Sequence, residues 1–227
     1  MKCVNSHYVI EPMRLEDLDE VLAIERVAFP TPWSLRAYRW ELTVNDHAYY
    51  LVVRRRQSQP PQQRQPQPGL RRTIHRILGS KTTDRPPVLG YGGFWLIVDE
   101  AHISTLAVHP NWRRRGLGAL LLAALLDKAV EVGAVIATLE VRVSNVAAQN
   151  LYRSFGFEQA GLNRHYYRDN GEDALIMTTP LLVTAPFQQR LSHLKKDLAR
   201  RMADSLDKIP EMGYNQRRFE AAEKGGR

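Results

Sequence analysis

A run of arginines followed by two glycines is the part of the sequence best suited to bind a ligand. It reads Arg113, Arg114, Arg115, Gly116, Leu117, Gly118 and Ala119, between an alternating apolar segment and an apolar helical pattern. The first turn of a helix has unpaired N–H groups and the positive end of the helix dipole. Glycines let a phosphate approach those groups closely. The segment therefore predicts a diphosphate site, to which the arginines add positive charge.

Two common nucleotide-binding loops do not fit this segment. The pattern GxGxxG would require a glycine at position 121, which is Leu121, and no Gly-Lys-Ser/Thr sequence follows. What remains is the pattern Arg-x-x-Gly-x-Gly in front of a helix.

The elements that would position this loop are strands and helices in alternation. Alternating or β-branched segments predict strands at 8–11, 48–53, 88–98, 101–109, 135–143, 157–167 and 174–179. Helical spacing predicts helices at 15–25, from Ser34 to 42, after the glycine loop to 131, and from Asn145 to 154. Tight turns are expected at Asp99-Glu100 and Asp169-Asn170-Gly171. The pattern predicts an α/β (α+β) fold.

Residues 54–87 interrupt this pattern with a basic stretch rich in proline and glutamine. They hold nine Lys or Arg residues and one acid. Such a composition buries too little apolar surface to offset its ordering entropy. We therefore predict a disordered insert in a hairpin between two strands. Its charge would allow weak contact with nucleic acid.

The predicted domain covers residues 1–180, and a basic extension follows over residues 181–227. The extension contains ten Lys or Arg residues, six acids and one amphipathic helix candidate, Phe187 to Leu206. The net charge of +8 therefore belongs to the insert and the extension rather than to the body of the domain.

The remaining composition excludes several classes of protein. Cys3 is the single cysteine, which excludes an internal disulfide framework and a cysteine-based zinc site. His102 and His109 flank a strand without any HxxxH pattern, so no metal site is predicted. The longest apolar run, 119–126, is too short to span a bilayer, and residues 1–12 contain no apolar stretch long enough for a signal peptide. We expect a soluble, cytoplasmic protein without membrane contact.

The loop and the order of elements resemble the GCN5-related N-acetyltransferases (GNAT). The resemblance covers roughly residues 5–180 without the insert. It implies a mixed central sheet in which the strands on either side of the loop and its helix splay apart around acetyl-CoA. The pantetheine arm would then pair with the backbone of Leu106, Ala107 and Val108. The diphosphate would bind the segment from Arg113 to Ala119.

The second half of the chain is similar to one group within this family, the bacterial ribosomal-protein-alanine N-acetyltransferases. Five segments match that group: Pro32-Trp33-Ser34, Leu139 to Asn145, Leu151 to Phe157, Arg164 to Tyr167, and Gly171 to Met177. The resemblance implies transfer of acetyl to the N-terminal alanine of a small-subunit ribosomal protein.

The resemblance also implies roles for three side chains. An α-amino group has a pKa near ~8 and must lose a proton before it attacks the thioester. Glu140 would accept that proton, directly or through a water, and Tyr152 would protonate the departing thiolate. Asn145 matches the residue that hydrogen-bonds the cofactor. On the residues alone, Glu140 can also be an exposed strand residue and Tyr152 a core aromatic.

Two other functions stay open at this level, as does the oligomeric state. The acceptor can be a lysine side chain, a polyamine or another small amine, because the same cofactor motifs would serve. Arg168 follows Tyr167 where family members often carry proline, which favours a different groove rim. Alternatively, the basic segments bind RNA and the domain is a scaffold, although the insert lacks aromatics that would stack on bases.

Overall fold

The computed structural model describes residues 7–56 and 85–204. Seven strands form its sheet: β1 (Tyr8–Pro12), β2 (Ala48–Arg55), β3 (Val88–Ile97), β4 (Glu100–Val108), β5 (Ile136–Arg142), β6 (Glu158–Tyr167) and β7 (Glu172–Thr178). Five helices accompany it: α1 (Leu18–Ala28), α2 (Leu35–Thr43), α3 (Leu117–Glu131), α4 (Val146–Ser154) and α5 (Ala185–Asp204). Short 3-10 turns precede α1 at Leu15–Asp17 and follow β4 at Pro110–Trp112. The predicted fold class and order of elements are confirmed.

The strands form one open sheet in the order β1-β2-β3-β4-β5-β7-β6. Every neighbouring pair is antiparallel except β4 and β5, which are parallel and pair only from Glu100–Ile136 to His102–Thr138. The parallel pair is joined through α3, because parallel strands require a crossover connection. The sheet is therefore continuous at the start of β4 and divided at its end.

Helices cover both faces of the sheet. On one face, α1 and α2 pack against strand residues such as Val52 and Tyr91. On the other face, α3 contacts Val53, Leu89, Ile103 and the buried residues of β5. Alternate residues of a strand point to opposite faces, so neighbours such as Val52 and Val53 enter different cores. The strands are apolar on both faces because helices cover both faces of the sheet.

Helix α5 packs into the core of the fold. Phe187 and Leu191 join the cluster formed by α3 and β5, and Leu198 and Met202 join a second cluster with the start of α3. Both ends of the predicted amphipathic helix therefore contact the domain. A domain boundary at residue 180, as the sequence predicts, would separate these side chains from the core to which they contribute. The folded body instead continues to residue 204.

Both edges of the predicted disordered insert belong to the folded body, which corrects the expectation for those residues. Arg54 is buried and ion-paired with the buried carboxylate of Asp17. Arg85 also reaches Asp17, with a nitrogen–oxygen distance of 3.1 Å. A buried carboxylate requires cationic partners, which explains why basic residues at 54 and 85 are ordered. The rest of the predicted insert, 57–84, lies outside the described residues.

We expect Phe187→Ala to lower the free energy of unfolding by about 3–5 kcal/mol, because it removes a buried aromatic ring from a packed core. The matched control is Gln189→Ala, an exposed position on the same helix, which should change stability by less than about 0.5 kcal/mol. Urea denaturation of both variants measures the difference. Equal stability of the two variants would show that α5 does not contribute to the core.

Candidate active site

A V-shaped gap opens between β4 and β5 after their last parallel pair, His102–Thr138. The register of β3 with β4 shifts at the same place, so that Ser104 is an extra residue between Ile103 and Thr105. A β-bulge of this kind bends its strand and increases the local twist. The edge of β4 that carries Leu106, Ala107 and Val108 therefore borders the gap, where the sequence predicts the pantetheine arm.

The glycine loop lies at the wide end of this gap and leads directly into α3. Gly116 adopts φ 81°, and Arg114 also has a positive φ of 63°. The first helical hydrogen bond runs from the N–H of Leu120 to the carbonyl of Gly116, at 2.9 Å. In an α-helix the N–H groups before this bond lack a carbonyl partner one turn earlier. Those of residues 117–119 are thus available to an anion.

Two of the three loop arginines have contacts within the chain. Nε of Arg113 donates to the carbonyl oxygen of Val108 at 3.1 Å. The guanidinium carbon of Arg115 lies 4.6 Å from the centre of the Trp112 ring, a cation–π distance. These contacts fix the loop against the end of β4. They also occupy one lone pair of the Val108 carbonyl, which the sequence assigns to cofactor pairing.

Glu140 lies on the opposite strand of the gap, and its carboxylate contacts a histidine. Its Oε2 is 3.1 Å from Nε2 of His102, and both side chains are about one-fifth exposed. Nδ1 of the same imidazole lies 3.3 Å from the hydroxyl of Thr138, which donates to Glu100. The hydrogen bond that His102 donates to Glu140 raises the pKa of His102, although burial opposes it. Sequence reasoning considered His102 only as a metal ligand and missed this contact.

An aromatic stack holds the histidine from the other side. Trp95 stacks on His102 with ring centres 5.8 Å apart, and Trp33 stacks on Trp95 at 5.9 Å. Two acids fix the tryptophans: Glu41 accepts from Nε1 of Trp95 at 2.8 Å, and Glu25 accepts from the backbone N–H of Trp33 at 2.9 Å. Burial raises the pKa of Glu25. The stack leads from the loop between α1 and α2 to the candidate base.

Tyr152 approaches the gap from the other face of the sheet. Its ring packs on Phe157 at 5.7 Å within the core cluster that also contains the residues flanking Glu140 on β5. Burial, followed by the nearby Tyr167, raises the pKa of the Tyr152 hydroxyl. The hydroxyl therefore keeps its proton at neutral pH and can act as a donor. Because strand residues alternate, Glu140 and Tyr152 lie on opposite sides of β5.

Asn145 begins α4, as the sequence predicts for a cap. Its Oδ1 accepts from the N–H of Ala148 at 3.1 Å. The oxygen is used by the cap, so the amide nitrogen remains to hydrogen-bond a cofactor. Nε2 of Gln149, which the sequence analysis did not single out, donates to the carbonyl oxygens of Arg142 and Val143 at 3.0 and 2.8 Å. Helix α4 is thereby fixed to the end of β5.

An arginine clamp holds the β6–β7 hairpin over the site. Arg142 pairs with Asp169 at 2.8 Å and with Glu172 at 3.0 Å, and its guanidinium carbon lies 3.8 Å from the centre of the Tyr167 ring. Hydrogen bonds from Ser144 and then from Arg142 lower the pKa of Glu172 to about 2. Tyr167 is thus fixed near both Glu140 and Tyr152. The sequence indicated the turn but not this clamp.

The geometry of the loop and the gap suits a thioester of coenzyme A. The described residues contain no group of three or more His, Cys, Asp or Glu side chains that could hold a metal ion. Within the same residues, no helix is both long enough and apolar enough to cross a bilayer. The N–H groups of the loop suit a diphosphate, and the open edge of β4 suits an amide-bearing arm such as pantetheine.

A glycine loop at the start of a helix, beside a sheet that divides between two parallel strands, is the arrangement expected of an acyl-CoA-dependent acetyltransferase. Residues 19–157 match the Acetyltransferase (GNAT) family. The chain belongs to the GNAT family, and it is an acetyl-CoA-dependent N-acetyltransferase. The resemblance seen in the sequence is confirmed.

Named relatives show to which enzymes of this family the chain is similar. The chain is 35% identical over 168 residues to a Bacillus subtilis (strain 168) protein provisionally named ribosomal protein bS18-alanine N-acetyltransferase, covering 74% of this chain and 92% of the relative. It is 39% identical over 108 residues to the Escherichia coli (strain K12) enzyme of that name, covering 47% and 73%. The crystal structure of the Escherichia coli S18-alanine N-acetyltransferase superposes with a TM-score of 0.57 at 28% identity, covering 77% and 94%.

A further solved structure shares the fold alone. The NatC complex bound to a Gag peptide and CoA superposes with a TM-score of 0.55 at 22% identity, covering 77% of this chain and 98% of that chain.

We expect Gly116→Ala to raise the dissociation constant of acetyl-CoA at least about tenfold. A Cβ at Gly116 would lie 2.9 Å from Cδ1 of Leu198, in a left-handed backbone that side chains disfavour, so we expect the loop and its N–H groups to shift. Gly133→Ala is the matched control, because Gly133 also has a positive φ but its Cβ would meet nothing within 4 Å. Isothermal titration of both variants measures the affinities, and unchanged binding by the Gly116 variant would exclude this loop as the diphosphate site.

Proposed function

We propose that this enzyme transfers acetyl from acetyl-CoA to the α-amine of an N-terminal alanine, and that the acceptor is a small-subunit ribosomal protein. The identity of 35–41% to enzymes named for alanine acetylation of bS18 supports the acceptor. The observation that carries the chemistry is the position of Glu140 at the gap, beside the expected course of the pantetheine arm. We place the reaction in the cytoplasm, the compartment that the single cysteine predicts.

The cofactor contacts in this proposal come from β4, the glycine loop and α4. The backbone of Leu106 to Val108 would pair with the pantetheine amides. The N–H groups from Arg114 to Ala119, with the charges of Arg113, Arg114 and Arg115, would hold the diphosphate. The amide nitrogen of Asn145 would donate to the arm. Acetyl-CoA supplies an activated acyl group and a thiolate that can depart.

The catalytic roles fall to Glu140 and Tyr152. Glu140 takes a proton from the acceptor amine, whose ordinary pKa near ~8 requires only modest help. Tyr152, whose pKa is raised by burial, holds a proton for the departing sulfur. They lie on opposite faces of β5, so the amine would approach the thioester from the side of Glu140 and the sulfur would depart toward Tyr152.

A second candidate acceptor is an internal lysine or a small amine. Arg168 is the observation that favours it, because it follows Tyr167 directly on the rim of the groove. The positive charge of Arg168 adds to this rim, so among such amines it favours one that is carried by an acidic segment.

Mass spectrometry of acetyl transfer to a peptide panel tests the acceptor. The panel contains peptides that start with alanine, serine or methionine, an N-terminally blocked peptide with an internal lysine, and spermidine. We expect one acetyl on the alanine peptide and none on the blocked peptide. Transfer to lysine or spermidine alone would select the second candidate, and transfer to none would contradict both.

We expect Glu140→Gln to lower kcat by about 10²–10⁴-fold, because it removes the proton acceptor while retaining the shape of the side chain. Affinity for acetyl-CoA should change by less than about twofold, since the carboxylate is not assigned to cofactor contacts. Steady-state kinetics and isothermal titration measure the two effects. Glu158→Gln, on exposed β6, is the control for the same chemical change. Full turnover by the Glu140 variant would remove the assigned base.

The basic insert adds a proposal about docking. Its positive charge supports contact with the phosphate backbone of ribosomal RNA near the acceptor. A variant lacking 57–84 retains Arg54 and Arg85, whose ion pairs belong to the body. This variant should acetylate a short peptide normally and an assembled ribosomal particle poorly. Equal rates on the particle with and without the insert would contradict docking.

A further inference from the structure

His102 contacts the candidate base but has no role in the chemistry described so far. Three contacts hold its imidazole: Glu140 at Nε2, Thr138 at Nδ1 and the ring of Trp95 on its face. Strand pairing places His102 next to Thr138, so this contact lies at the point where the parallel ladder ends. These three contacts fix the orientation of the imidazole at the mouth of the gap.

The hydrogen bonds indicate which protons this imidazole carries when it is charged. A threonine hydroxyl has one proton, and that of Thr138 is donated to Glu100. Toward His102 the hydroxyl therefore acts as an acceptor, and Nδ1 must carry a proton. An ionised Glu140 only accepts, so Nε2 must also donate. With both carboxylates ionised, the contacts shown are those of an imidazolium.

The same contacts determine which proton is exchanged. When the imidazolium loses a proton, Nδ1 keeps its own because Thr138 offers no other donor. The proton therefore leaves from Nε2, the nitrogen that faces Glu140. Proton exchange by His102 is thus directed at the candidate base rather than at the interior of the sheet.

We propose that His102 and Glu140 accept the acceptor's proton as one pair, in which the imidazole stores the proton. His102 acts through Glu140 and is a positioning residue in this sense. The proposal deepens the proposed function and relies on it for the identity of the amine. An isolated glutamate has a pKa near ~4.3, whereas an imidazole near ~6.5 lies closer to an α-amine, which makes proton uptake about a hundredfold more favourable.

The charged groups around the pair agree with this storage. Glu100 lies on the same strand as His102, with its Oε1 3.9 Å from Nδ1. Glu41 of α2 lies behind Trp95, and Tyr166 of β6 is close enough to Glu140 for that carboxylate to contribute to its raised pKa. The hydrogen bond to Glu140 and the charges of Glu140 and Glu100 all raise the pKa of His102. The surroundings are therefore mostly acidic and stabilise a proton on the imidazole.

The proton balance of one turnover follows from these positions. Turnover begins above the pKa of His102, where the imidazole is neutral. The acceptor ammonium gives one proton to the pair, and the imidazole becomes the imidazolium whose contacts are described above. The amine nitrogen forms a bond to the acetyl carbon as the carbon–sulfur bond breaks, and its second proton reaches the departing sulfur through Tyr152. The imidazolium then releases its proton to solvent. One proton is released for each acetyl group transferred.

The pH dependence of kcat tests the pair. In the wild type, kcat at saturating acceptor should fall as the pH drops through the pKa of His102, above 6.5. His102→Gln can still hydrogen-bond Glu140 but stores no proton, so kcat near neutral pH should fall about tenfold or more and this acid limb should disappear. The control is His193→Gln, an exposed histidine of α5. An acid limb unchanged in His102→Gln, or absent from the wild type, would overturn the proposal.

A second measurement does not depend on the acceptor. Imidazole ¹⁵N chemical shifts of the full chain should give His102 a pKa above 6.5 in the wild type and a lower one in Glu140→Gln. A His102 pKa at or below 6.5 in the wild type, or a His102 pKa that is the same in Glu140→Gln as in the wild type, would overturn the pairing. If no amine of the panel is acetylated, the proposed function fails while the ¹⁵N titration still decides whether the two groups are coupled.

Discussion

The end of the parallel ladder between β4 and β5 is the constraint on which the rest of the site depends. The two strands share only three residue pairs before they part at His102–Thr138. Past this point β5 continues to pair with β7, while β4 continues with β3. Neither strand loses its structural partner, so the sheet can divide without leaving either strand unsupported. The gap exposes one backbone edge of β4 to a ligand.

The two ends of the gap carry opposite charges. At its wide end, the glycine loop presents arginines and helix N–H groups, which suit the diphosphate of coenzyme A. At its narrow end, Glu100, Thr138, His102 and Glu140 form a connected chain of hydrogen-bonding groups. In the proposed function, anion binding and proton transfer would thus occur at opposite ends of β4. An enzyme that removes a proton from a cation while holding an anion benefits from this separation.

Local signals in the sequence predicted the parts of the site that depend on neighbouring residues. The cap at Asn145 is an interaction over three residues, and the hairpin turn at Gly171, with φ 71°, lies within a short segment. The turn before β4 was predicted one residue late, because Val98 adopts a positive φ that its β-branched side chain disfavours. Local propensity cannot indicate a conformation that the two paired strands impose.

The missed residues depend on register between distant segments. His102 meets Glu140 because residue 102 pairs with residue 138, which no spacing within the chain reveals. Arg54 was assigned to the insert by its composition, although Asp17 holds it in the core.

The packing of helix α5 shows that the conformation of the glycine loop also depends on residues distant in the sequence. Leu198 and Met202 pack beneath Gly116, where a Cβ would be only 2.9 Å from Cδ1 of Leu198. Glycine at this position therefore serves the left-handed backbone, and it also permits the close approach of α5. On one side, Arg113 of the loop donates a hydrogen bond to the end of β4, and on the other side α5 packs against the loop. A segment beyond the family match at 19–157 thus supports the family's most local motif.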